Sequence, residues 1–168
     1  LLLSNQGQVM KQYNILFLCT HNSARSILGE ALASTHPSGK LVGFSAGSTP
    51  GTSVNPIAEE LAIEMGMDPI KLKSKSWDVF GKPDAPQMDF IITVCDNAAG
   101  EVCPFWPGKP ATAHWGFPDP SQVQGSELDK KAAFINVMNG LKKRIDLLAA
   151  MPLDTLDSMS LKEIHTKS

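Results

Sequence analysis

"ILFLCTHNSARS", residues 15–26, carries an unbroken apolar run into Cys19, then a short polar loop, then an arginine six positions after the thiol. A short continuous apolar run bounded by polar residues reads as a buried strand. Cys19 therefore stands at the end of that strand, and the loop from Thr20 to Arg25 leads into a helix expected over 23–35. The first turn of a helix exposes unpaired backbone N–H groups at its positive end. A tetrahedral oxyanion fits there, held by those amides and by the two-pronged guanidinium of Arg25. The same field favours the thiolate of Cys19, which is the nucleophilic form. A cysteine taken alone is more often a small buried hydrophobe. Here the strand end, the loop, Arg25 and the helix start coincide, and together they point to an anion site.

The pattern around this stretch alternates. "NILFLC" (14–19), "KLVGFSAG" (40–47), "DFIITVC" (89–95) and a weaker "ATAHWG" (111–116) read as strands. Helices are expected between and after them. One spans 55–67, with Pro56 suited to a first turn and Gly66 to a stop. Another spans 126–150, capped by Ser126, with Phe134, Met138, Leu141, Ile145 and Leu148 along one face. Such alternation implies an α/β fold, a parallel sheet with helices on both faces, whose ligands bind at the carboxyl ends of the strands.

The chain has 168 residues and 42% hydrophobic content, which suit one domain. Residues 10–152 are read as that domain, and 153–168 as a tail that either docks as a short helix or frays. With 15 basic and 17 acidic residues there is no electrostatic footprint for nucleic acid or an acidic membrane. Three cysteines without a Cys-x-x-Cys pairing suit a reducing cytoplasm and no zinc site. The opening "LLLSNQGQVM" is neither a signal peptide nor a membrane span, and residues 1–9 are read as an extension before Met10. His36, His114 and His165 show no ligand spacing. No metal, no organic cofactor and a monomer are expected.

Cys19, Arg25, Asn22 inside the loop and Ser26 after it resemble the phosphate-binding loop of the low-molecular-weight protein tyrosine phosphatase superfamily. More closely, the chain resembles the thioredoxin-coupled arsenate reductase branch of that superfamily. The resemblance runs from Tyr13 to Ala150, through "FSAGS" (44–48), "SKSWD" (74–78), "VCDNAAGEVCP" (94–104) and "AHWGFPDP" (113–120). It implies a four-stranded parallel sheet carrying the loop Thr20, His21, Asn22, Ser23, Ala24, Arg25 and Ser26. It further implies Cys19 as nucleophile, Arg25 as anion clamp, Asn22 as a brace, Ser26 as a partner of the thiolate, and Asp119 as general acid.

A phosphatase needs only Cys19, whereas a reductase must supply two electrons from thiols. If strands one and three are neighbours, about 4.8 Å apart, Cys95 can approach Cys19 within disulfide range. Resemblance to the reductases implies a relay: Cys19 attacks arsenate, Cys95 attacks Cys19 and expels arsenite, and Cys103 closes a Cys95–Cys103 disulfide for thioredoxin or another thiol reductant. The segment from Asp96 to Val102 is expected to be helical or tightly coiled in the reduced chain and to unwind when that disulfide forms.

The chain differs from the family at several positions. His21 stands where Gly is frequent, Ala24 where a cysteine is common, and the Cys95–Cys103 spacing is one residue longer than in the relay. Ser121 and Gln122 replace the aromatic pair that follows the phosphatases' Asp-Pro, which favours a small inorganic oxyanion over an aryl phosphate. Asn22, Glu30, Ser45 and Asp78 match positions at which some relatives bind a potassium-like cation, and a hydrogen-bond network explains them equally well. The expected activity is cytoplasmic arsenate reduction. The alternatives are a phosphatase acting through a phosphocysteine and a noncatalytic oxyanion or redox sensor.

Overall fold

A computed structural model describes residues 11–95, 106 and 108–167. Four strands, β1 (Tyr13–Cys19), β2 (Leu41–Gly47), β3 (Phe90–Thr93) and β4 (Ala111–His114), pair in parallel in the order β2-β1-β3-β4. The α-helices are α1 (Arg25–Ser34), α2 (Pro56–Met65), α3 (Glu127–Ala149) and α4 (Ser158–Lys167). All four expected strands are present.

Strand β1 is central and buried along its last five residues, as a parallel strand covered on both faces must be. Its alternate side chains serve two cores. Ile15, Phe17 and Cys19 face a large cluster built with all four α-helices. Leu16 and Leu18 face a smaller one closed by Trp77 and Phe80 of a 3₁₀ helix (Trp77–Gly81), with Met88 and Trp106. Among the described residues, α-helices thus cover one face and this 3₁₀ helix the other.

The helix ends follow the sequence signals. Asn55 accepts from the amides of Ile57 and Ala58, Pro56 occupies the first turn, and α2 closes at Gly66 with φ 111°. Ser126 and Asp129 form a reciprocal capping box at the start of α3. Phe134, Leu141, Ile145 and Leu148 are buried on its inner face. Helix α4 places Leu161 and Ile164 in the main core, and Trp115 donates its indole N–H to the carbonyl of Leu161 at 2.9 Å. Among the described residues no helix is long and apolar enough to cross a membrane.

After β1 the chain crosses to β2 on one side, and later returns to β3 on the other. The carboxyl end of β1 is therefore the topological switch point, where a crevice opens between diverging connections.

Candidate active site

Cys19 ends β1, and Cys95 lies two residues beyond β3; both are buried and reduced. The pairing of Leu18 with Thr93, and the bond from Val94 N–H to the Leu18 carbonyl at 2.9 Å, set these strand ends side by side. The two thiols are hydrogen-bonded to each other. That contact, followed by burial, pushes the Cys19 pKa up, while Arg25 and the Thr20 amide pull against the rise. Thr20 donates its backbone N–H to Cys95 Sγ at 3.2 Å, and its hydroxyl lies 3.4 Å from the same sulfur. The Thr20 amide thus donates directly to the Cys95 sulfur, a contact that would favour its thiolate, while the Cys19 thiol is held against ionisation.

The loop between Cys19 and Arg25 is shaped by its carbonyls. Those of Cys19, Thr20, His21 and Ser23 accept from the amides of Ser48, Thr49, Gly51 and Asn55, at 3.3, 2.8, 3.0 and 2.8 Å. Ser74 Oγ adds a bond to the His21 carbonyl at 2.7 Å. A trans peptide points its N–H opposite to its C=O. The amides of Thr20, His21, Asn22 and Ala24 therefore turn inward, and the Thr20 bond to Cys95 is one instance. Close approach of the 47–55 segment requires Gly47, where a Cβ would meet the Thr20 carbonyl at 2.5 Å and the Asn22 nitrogen at 2.9 Å. Asn22 is fully buried at φ 51°, donates to Ser26 Oγ at 2.9 Å and accepts from the Lys75 amide at 2.9 Å. Helix α1 then begins with Ala24 as its N-cap, with neither a side-chain cap nor an acidic residue in its first turn. Its positive end is left to whatever anion enters the loop.

Arg25 faces the same space. Its Nη1 donates to the Phe117 carbonyl at 2.8 Å, its Nη2 lies 3.7 Å from Asp119 Oδ2, and its buried Nε has no partner among the described residues. Asp119 caps a short 3₁₀ turn (Pro120–Gln122) and accepts from the Ser121 amide at 2.9 Å and its hydroxyl at 2.7 Å. Partial burial pushes the Asp119 pKa up, but the Ser121 bonds and the Arg25 charge outweigh it and hold the carboxyl below its ordinary value. His21 is exposed at the rim, its Nδ1 3.0 Å from the Thr49 carbonyl. Ala24 is buried and Ser23 half-buried.

Beneath the loop lies part of the hydrogen-bond network expected for Glu30 and Ser45, joined by Lys75, which the sequence reading did not single out. Ser45 donates to Glu30, whose carboxylate lies 3.8 Å from Lys75 Nζ. Burial pushes the Glu30 pKa up, and Lys75, Ser45 and Lys71 pull it back. Burial likewise lowers the Lys75 pKa against the pull of Glu30. Lys75 thus places an ammonium near Glu30, the carboxylate that accepts from Ser45, while donating to the Lys73 carbonyl at 2.8 Å; Asp78 is exposed on its 3₁₀ helix. The donor set does not fit a bound cation beside that ammonium. A lysine in "SKSWD" carries no sequence signal for burial, and neither does the use of Phe117 as a backbone partner of Arg25. Cys103 and the segment expected to be helical or tightly coiled, from Asp96 to Val102, lie outside the described residues.

Residues 14–160 match the family described as "Low molecular weight phosphotyrosine protein phosphatase". The arsenate reductase of Halalkalibacterium halodurans is 33% identical over 140 residues, covering 83% of this chain and 97% of the relative. A solved arsenate reductase in the phosphate binding state superposes with a TM-score of 0.61 at 25% identity, covering 83% of this chain and 98% of that one. A thioredoxin-dependent arsenate reductase of Corynebacterium glutamicum superposes with a TM-score of 0.52 at 25% identity, covering 82% of this chain and 63% of that one.

Proposed function

The chain belongs to the low molecular weight phosphotyrosine protein phosphatase family, and within it we propose that it is a cytoplasmic arsenate reductase. The observation that carries this reading is the pair of hydrogen-bonded thiols, Cys19 and Cys95, beneath an inward-facing amide loop. A phosphocysteine mechanism needs one thiol; reduction of arsenic from the pentavalent to the trivalent state needs two.

In this reading arsenate binds the amides of residues 20–26 and the Arg25 guanidinium. The anion's arrival replaces Cys95 as the partner of Cys19, and an arsenate oxygen takes the Cys19 proton; the thiolate so formed attacks arsenic, the As–S bond forms as an As–O bond breaks, and Asp119 passes a proton to the departing oxygen, which leaves as water. Cys95, its charge held by Thr20, attacks Cys19 Sγ. The S–S bond forms, the As–S bond breaks, and its electron pair stays on arsenic, which leaves as arsenite. Cys103 then attacks Cys95 and frees Cys19, and a thiol reductant of the thioredoxin kind returns two electrons to the Cys95–Cys103 disulfide. Support for the reductant comes from the likeness to a thioredoxin-dependent relative.

The test is arsenate-dependent oxidation of thioredoxin, run beside aryl phosphate hydrolysis. Cys19→Ser should abolish both activities, and Arg25→Lys should cripple both, because an ammonium cannot grip two oxygens in one plane. Cys95→Ser and Cys103→Ser should abolish only the reductase. Full arsenate turnover by either of the last two variants would refute the relay. An aryl phosphate specificity constant far above that for arsenate would favour a phosphatase.

A further inference from the structure

A side-chain cluster on the last two helices lies behind the site and has no part in the chemistry above. Phe117 supplies the carbonyl that accepts from Arg25 Nη1, and its own amide donates to the Val94 carbonyl at 3.1 Å. Its ring lies 4.6 Å from the Arg144 guanidinium and edge-on to His165, with centroids 6.3 Å apart at 69°. The third wall is Gly140, where a Cβ would come within 2.6 Å of the ring, so only glycine lets the ring sit this close to α3. Arg144 is itself fixed: Nε donates to His165 Nδ1 at 2.9 Å, and Nη1 to the Gly140 carbonyl at 2.8 Å.

A ring nitrogen that accepts from an arginine carries no proton, so His165 is neutral in this arrangement. Burial holds its pKa below the ordinary value, and the charges that face it, Arg144 from α3 and His114 from β4, push the same way. Protonation would set one N–H against another and place a second cation beside Arg144. The guanidinium would then leave the Phe117 ring, which would lose one of its three walls.

We propose that Phe117 and His165 are positioning residues for Arg25. Neutral His165 fixes Arg144 over the ring, the ring fixes the carbonyl that orients the Arg25 guanidinium, and protonation of His165 releases this seat and weakens oxyanion binding. The inference rests on the reading of Arg25 as the anion clamp.

Linkage supplies a test with a decisive sign. If protonation of His165 weakens anion binding, a bound anion must lower the His165 midpoint by the same factor. Simple attraction between a bound dianion and the imidazolium would raise it. The experiment is a histidine NMR titration of the reduced full-length chain with and without saturating sulfate, whose charge is constant where histidine titrates. Sulfate should lower the midpoint by about half a pH unit, equivalent to about threefold weaker binding to the protonated form. His165→Gln keeps an acceptor for Arg144 but cannot be protonated. Its arsenate KM should fall below that of the wild type, by about threefold, as pH drops through the His165 midpoint, with kcat values alike. His165→Ala, which offers no acceptor, should show a raised KM throughout. A midpoint raised or unmoved by sulfate, or identical KM profiles for the wild type and His165→Gln, would overturn the proposal. Absence of any sulfate or arsenate binding would instead overturn the oxyanion reading of the site, and this inference with it.

Discussion

Asn22→Ala should damage the oxyanion loop more than any other single truncation within it, and its cost can be assembled from the contacts. The side chain is fully buried, donates to Ser26 Oγ and accepts from the Lys75 amide, both at 2.9 Å, while its backbone sits at φ 51°. Alanine removes both bonds, a net loss of about 1 kcal/mol each. It also leaves the Lys75 N–H without its acceptor, which raises the cost by about another 1 kcal/mol. Left-handed backbone costs an L-residue roughly 1–2 kcal/mol, a penalty that asparagine partly escapes and alanine does not. The sum, about 3–4 kcal/mol, is a large share of the roughly 5–15 kcal/mol that holds a domain folded. In urea it should lower the unfolding midpoint by about 2 M. Asn22→Gly loses the same bonds but not the backbone preference, so it should be about 1 kcal/mol more stable than the alanine variant. Asn22→Asp keeps the acceptor for Lys75 and sets a carboxylate inside an anion loop, so it should raise the arsenate KM more than it lowers stability. An alanine cost below about 1 kcal/mol, or a glycine variant no more stable than alanine, would refute the reasoning.

Lys75→Met strands the buried Glu30 carboxylate and should cost roughly 2–3 kcal/mol at neutral pH. Because burial already holds the Glu30 pKa above its unfolded value, the ionised carboxylate destabilises the fold at high pH and is relieved as pH falls through the folded pKa. The deficit against wild type should therefore shrink in acid, and denaturation at two pH values that showed the same deficit would contradict this. Leu161→Ala empties a fully buried site and should cost about 2–4 kcal/mol in denaturant unfolding; a cost below about 1 kcal/mol would mean that α4 contributes little to the core. Thr20→Val removes the hydroxyl beside Cys95 but spares the amide, so the pH midpoint for alkylation of Cys95, followed by mass spectrometry, should rise by about half a unit. An unmoved midpoint would show that this hydroxyl does not stabilise the thiolate.

What was legible in the sequence was whatever depends on local pattern. The apolar run into Cys19 gave β1 and its end, and the turn chemistry of Asn55, Pro56, Gly66 and Ser126 gave the bounds of α2 and α3. Adjacency of the first and third strands was only a condition at the level of sequence; the structure meets it, and with it Cys19 and Cys95 meet. The hidden part is the set of partners that long-range packing selects. Lys75 and Glu30 are 45 positions apart and Phe117 and Arg25 are 92 apart. Arg25 and Glu30 stood out by pattern or resemblance, but their partners Phe117 and Lys75 bear no mark in the sequence that distinguishes them from an ordinary core aromatic or a surface charge. The tail beyond Pro152 was ambiguous for a related reason: "LDTLDSMSLKEI" has too few apolar residues to declare a buried face, and two of them, Leu161 and Ile164, supply it.

The two cations that flank the loop are held in different ways, and the difference orders the proposed chemistry. Lys75 is tied from behind, its amide to Asn22 and its ammonium near a buried carboxylate, so it holds the loop's shape with or without an anion. Arg25 in front is held by one neutral carbonyl and a carboxylate 3.7 Å away, and its Nε edge is unmatched. A charged oxyanion offers that edge two acceptors at once, a stronger arrangement than the single long contact to Asp119. Capture therefore displaces Asp119 from Arg25 without disturbing the Phe117 bond. Asp119 keeps its two bonds from Ser121, which hold it ionised at rest. An ionised carboxylate cannot be the acid, so it must first take a proton, and the nearest source is a hydroxyl of the incoming arsenate. Asp119 would then return that proton to the oxygen that leaves, acting as a shuttle within the bound anion rather than as a standing acid. On this account Asp119→Asn should lower kcat while leaving the arsenate KM nearly unchanged, and the residual rate should lose its dependence on pH in the acid range. A raised KM with an unchanged kcat would instead make Asp119 a binding partner of Arg25 and nothing more.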